Sequence, residues 1–73
     1  MRKRSMREST ENALRLYLSG KMQYHAANVE IYLENPVGIG EHPDVLGALE
    51  DELGKVAEYK EKLDILREIC ENG

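Results

Sequence analysis

The chain has no tryptophan, no phenylalanine, one cysteine and two prolines. Each scarcity removes something. Cys70 stands alone, so no internal disulfide can staple a small fold. His25, His42 and Cys70 are scattered without zinc-ligand spacing, so no metal or other cofactor is expected. No stretch reaches the ~18 consecutive apolar residues of a membrane span. The start, "MRKRSMR", leads into "ESTENALR" rather than into the apolar core of an export signal. The expected setting is cytoplasmic, away from membranes, with Cys70 reduced. Without Trp or Phe, the core must come from Leu, Ile, Val, Met, Ala and the four tyrosines, a palette that suits helices.

What remains is short. At 73 residues the chain is one small domain, and a single core of this size rarely supplies more than ~3–5 kcal/mol. Disulfides and metals being excluded, oligomerisation is the remaining remedy.

The charge is lopsided. Arg2, Lys3, Arg4 and Arg7 against Glu8 give the first eight residues a net +3, and the other 65 carry −7. Residues 1–8 are expected to form a basic flexible arm, whose bland reading is a frayed, solvated terminus. The functional alternative is a nucleic-acid contact through Arg2, Lys3, Arg4 and Arg7. An acidic body repels a duplex backbone, so the arm would have to work alone.

The spacing predicts a helix over 9–34, with Ser9 or Thr10 as its cap. Two apolar stripes run along it. One is Leu14, Leu18, Met22, His25, Val29 and Leu33, with Tyr32 beside it. The other is Ala13, Tyr17, Gly20, Tyr24, Ala27 and Ile31, in which small and large residues each recur every seven. Gly20 in "LSGK" is a potential break, but both stripes keep their phase across it. A second helix is expected over 43–71, with Pro43 in its first turn and Asp44 adding charge that the dipole favours. Its stripe is broad: Val45, Leu46, Leu49, Leu53, Val56, Tyr59, Leu63, Leu66 and Cys70. Two helices of nearly equal length around a loop at 35–42 make an all-α, antiparallel two-helix hairpin. A lone hairpin buries one stripe per helix. The face of Ala13, Tyr17, Gly20, Tyr24, Ala27 and Ile31 would stay in water, so it is the expected interface of a homodimeric four-helix bundle.

The loop string "ENPVGIGEHPD" is the most distinctive in the chain. "GIGEHP" lacks the third glycine, the strand and the βαβ unit of a nucleotide loop, and Glu41 and Asp44 repel phosphate. His42-Pro43-Asp44 resembles the tripeptide of J-domains. Here, though, "NVEIYLENPVGIGE" precedes it, acidic and apolar where J-domains carry a basic helix. The favoured reading is a structural clasp. Asn35 and Pro36 end the first helix, Gly38 and Gly40 supply unusual backbone angles, Val37 and Ile39 plug the bundle end, His42 packs or caps there, and Pro43-Asp44 start the second helix. His25, within an apolar stripe, reads as a core or boundary histidine with a satisfied hydrogen bond. The run Glu50-Asp51-Glu52 reads as a solvated face, and Cys70 as a small hydrophobe. No nucleophile, base and orienting group come together, so no catalytic residue, enzyme activity or small-molecule substrate is expected.

The stretch from His25 to Leu66 resembles small helical proteins of unknown function from T4-like bacteriophages, including marine cyanophages. Their shared core has the form N-V-E-x-Y-L-x-N-P-x-G-I-G-E-H, which Asn28 to His42 match. The resemblance implies a phage origin, two helices around a fixed turn, and the cytoplasm of an infected cell. It carries over no catalytic residue. The function expected is an adaptor or modulator that binds a phage or host protein. Its contact surfaces would be the loop and the acidic face of Glu50, Asp51, Glu58 and Glu61.

Overall fold

A computed structural model describes residues 5–35 and 44–72. They form two helices, α1 (Met6–Glu34) and α2 (Val45–Asn72), and no strand among the described residues. The helices lie antiparallel: Leu14 and Leu18 of α1 share a groove with Leu66 and Ile69 near the end of α2. Further along α1, His25 meets Glu52 and Tyr59. The hairpin is thin, 53 × 25 × 15 Å. Its least dimension is little more than the ~10–12 Å diameter of one helix with its side chains. It is one layer of helices, where a stable domain ordinarily packs two.

α1 starts earlier than Ser9 or Thr10 would have it. Ser5 is the cap: its Oγ accepts from the Glu8 amide at 3.1 Å, and its carbonyl accepts from the Ser9 amide at 3.0 Å. Ser9 and Thr10 can cap but do not stop a helix. The added turn gains the Arg7–Glu11 ion pair one turn apart. The basic arm is therefore shorter than residues 1–8, since Met6, Arg7 and Glu8 belong to α1. The helix runs unbroken through Gly20 and ends at Glu34, with the Asn35 amide donating to Ile31 O at 3.0 Å. Pro36 follows, and the residue before a proline is pushed out of the helical region.

α2 starts at Val45, not at Pro43 or Asp44. Asp44 is its cap rather than a first-turn charge: Oδ1 accepts from the Gly47 amide at 2.8 Å. Pro36, Val37, Gly38, Ile39, Gly40, His42 and Pro43 lie outside the described residues, as do Arg2, Lys3 and Arg4.

The glycines of the helices differ in what surrounds them. A methyl on Gly20 or Gly54 would meet nothing within 4 Å, whereas on Gly47 it would overlap the Asp44 carboxylate, whose Cγ lies 2.7 Å away. Gly54→Ala should raise stability by about 0.8–1 kcal/mol through helix propensity. Gly47→Ala should gain nothing, because the same methyl displaces a cap worth about 1 kcal/mol. Chemical denaturation of both variants checks the contrast. Equal gains would show that the Asp44 cap contributes nothing.

The helices meet along narrow lines. On α1 the line is Leu18, Met22, His25, Val29 and Tyr32; on α2 it is Val45, Leu49, Glu52, Val56, Tyr59, Leu63, Leu66 and Cys70, all buried or half-buried. Steps of four and three produce both. Four residues expected on these lines fall off them, Leu14 at 41%, Leu33 at 63%, Leu46 at 80% and Leu53 at 54% exposure. Tyr32 takes the place of Leu33, and Glu52 that of Leu53. Leu18, at 7% exposure, is the only buried residue among those described.

Candidate functional site

Three features stand out along the hairpin: a polar centre between the helices, a thiol end and an apolar surface.

The polar centre forms where His25 crosses α2. Its Nδ1 lies 2.6 Å from Glu52 Oε2, with both side chains largely covered. The imidazole stacks on Tyr59 at 6.0 Å between ring centroids and meets Tyr24 edge-on at 4.9 Å. Lys21 and Lys62 stand over the same rings, Lys62 Nζ 4.8 Å from the Tyr59 centroid. A carboxylate holding an imidazole is the base-and-orienter half of a catalytic set. Among the described residues, the groups around it are two tyrosines and two lysines, with no Ser, Thr or Cys nucleophile. What the arrangement does is satisfy a polar pair between two helices. Its consequence for the acidic run is specific: Glu50 and Asp51 are exposed, but Glu52 turns inward. A histidine on the apolar stripe was the signal for an acidic partner across from it.

At the open end of the hairpin, Arg7 holds Glu11, whose carboxylate bears on Cys70. Burial pushes the thiol up, and Glu11 adds to the shift, which favours the protonated thiol. The Arg7 guanidinium holds Glu11 below the usual carboxylate range, as Lys62 does for Glu58. With folded values depressed, these two contributions to stability are present at neutral pH and are lost as acid protonates them. The assignments made from sequence shift accordingly. Arg7, a candidate nucleic-acid contact, sits on a helix bonded to Glu11. Glu58, expected on an acidic contact face, carries both Lys55 and Lys62. Glu50, Asp51 and Glu61 are exposed.

The apolar surface is the largest feature. Tyr17, Tyr24 and Ile31 are 60%, 62% and 58% exposed. Ala13, Gly20 and Ala27 between them are exposed too. On the ~100° step of a helix, this face is centred about 140° from the line that meets α2. It thus lies on the far side of α1. Next to it runs an open groove lined by Leu14, Leu18, Leu66, Ile65, Ile69 and Lys62. Leu14 is one turn from Tyr17, so groove and face are continuous. At the opposite end Leu46, Leu49 and Leu53 line a second depression with Asp44.

Among the described residues no cluster of three or more His, Cys, Asp or Glu could hold a metal ion. No helix among them is long and apolar enough to cross a membrane. Compared with family models, curated proteins and solved structures, the chain matches none of them.

Proposed function

We propose that this chain works by binding: a homodimeric four-helix bundle that serves as an adaptor or modulator of a phage or host protein. The observation that carries the dimer is a mismatch between core and surface. Among the described residues one leucine is buried, while three large apolar side chains of a single α1 face stand more than half exposed. Covering the α1 face supplies the second layer that a lone hairpin lacks. Tyrosine suits the task, since its ring packs while its hydroxyl stays wet.

The resemblance of Asn28–His42 to T4-like phage proteins is the ground for placing the binding partner in an infected cell. The acidic surface of Glu50, Asp51 and Glu61 is what the dimer would leave outward for that partner.

Light scattering at tens of micromolar tests the dimer, with twice the chain mass expected. A monomer there overturns the reading. Gly20→Leu sharpens it, because nothing within the hairpin lies near Gly20. Leucine is tolerated in one copy, but overpacks a close helix pair by about 1–3 kcal/mol, or roughly 5- to 150-fold in dissociation constant. Unchanged association of that variant would move the interface elsewhere.

A further inference from the structure

We infer that the second copy lies antiparallel to the first along α1, with the two-fold axis crossing at the level of Met22. This rests on the self-association proposed above and adds its direction and register.

The exposed face of α1 alternates: Ala13 small, Tyr17 large, Gly20 small, Tyr24 large, Ala27 small, Ile31 large. Reversed end for end, that pattern is its own complement. With the axis at Met22, Ala13 comes opposite Ile31 of the partner subunit, Gly20 opposite the partner's Tyr24, and Ala27 opposite the partner's Tyr17. Each bulge meets a gap, as close packing requires. The two-fold axis repeats the three contacts with the roles exchanged, as an isologous interface must. A parallel pair in register would set Gly20 on Gly20 and Tyr24 on Tyr24, so voids would alternate with overlaps. An antiparallel pair slipped by one heptad keeps the alternation, but leaves two of the six positions without a counterpart.

Charge points the same way independently. Up to Lys21, α1 holds three basic residues (Arg7, Arg15 and Lys21) and two acidic ones (Glu8 and Glu11), a net +1. From Met22 to its end at Glu34 it holds two acidic residues (Glu30 and Glu34) and no Lys or Arg, a net −2. The sign changes at the residue that centres the small–large pattern. Antiparallel copies set the basic segment against the acidic one twice. Parallel copies set like against like along the whole face. Complementary charge of this kind fixes register and rejects wrong pairings. The helix dipoles agree, the positive end of one α1 lying beside the negative end of the other.

The test is a distance. In the full chain with Cys70→Ser, a spin label on Thr10→Cys sits on an exposed position beside the face. Thr10 comes level with Glu34 of the partner subunit, so the two labels should lie about 36 Å apart along the axis at ~1.5 Å per residue. A one-heptad slip would move that to about 26 or 46 Å by the same rise. Parallel copies would bring the labels within about 15 Å, given interaxial distances of ~8–10 Å. A short or slipped distance overturns the arrangement while the dimer stands. No coupling between chains at tens of micromolar overturns the self-association itself. Disulfide trapping checks the result without labels. Chains carrying Gly20→Cys mixed with chains carrying Tyr24→Cys should give mixed 20–24 disulfides in excess of either homodisulfide. A statistical mixture would refute the register.

Discussion

Leu18→Ala should remove the cooperative unfolding transition of this protein at micromolar concentration. Truncating a buried leucine costs about 2–5 kcal/mol. A core of this size offers only about 3–5 kcal/mol in all. Leu18 lies at the edge of an open groove, where the surroundings can close in, so the lower half of that range applies. Even so the loss consumes most of what a hairpin holds. Leu46→Ala, which removes the same atoms from a side chain 80% exposed, should change stability by no more than about 0.5 kcal/mol. Thermal melts followed by helical circular dichroism, run at several protein concentrations, separate loss of fold from loss of association. A Leu18→Ala protein that melts with the parent would show that the stabilising contacts lie elsewhere.

The second large effect belongs to His25 and Glu52. Each single truncation should cost about 1.5–3 kcal/mol, the usual worth of a hydrogen bond to a charged group. The side chains are 14% and 18% exposed, so little water can replace the lost partner. Replacing both by leucine should recover most of the loss, since apolar substitutes for a covered polar pair are often neutral or stabilising. Recovered stability need not bring back a unique structure. Both helices repeat apolar residues on the same four-and-three step, so either could slide one heptad and still find apolar neighbours. Only one register lets His25 reach Glu52. The double-leucine variant should therefore be stable yet show broadened or doubled side-chain NMR signals. Sharp single signals would assign register to the loop alone.

Most of the hairpin was readable from residue spacing, because a period near 3.5 survives along both helices. Asn35–Pro36 marked the end of α1 for a reason internal to the chain, the steric demand of proline on its predecessor. The open face of Ala13 to Ile31 was readable as well, since two stripes about 140° apart at a ~100° step cannot both meet one partner. The start of α1 was harder. Ser5, Ser9 and Thr10 are all competent caps, and the choice among them turns on an ion pair, Arg7–Glu11, that only a helical backbone brings together. The position of Glu52 was obscured by ranking residues on hydrophobicity. Leu53 is the more apolar neighbour, but the histidine across the gap selects the acid. The outward turn of Leu33 follows from the same narrow line, which passes through Tyr32.

The thinness of the hairpin also bears on how long a chain survives among proteases. In a fold one helix deep, no peptide bond is shielded by more than a single layer. Opening the two helices therefore lays out nearly every cleavage site at once. When opening and closing are fast, degradation follows the population of the open form. Anything that covers the hairpin lowers that population by mass action. On the binding proposed above, lifetime would become a readout of occupancy: chains that have found their complement would persist, and solitary ones would be cleared.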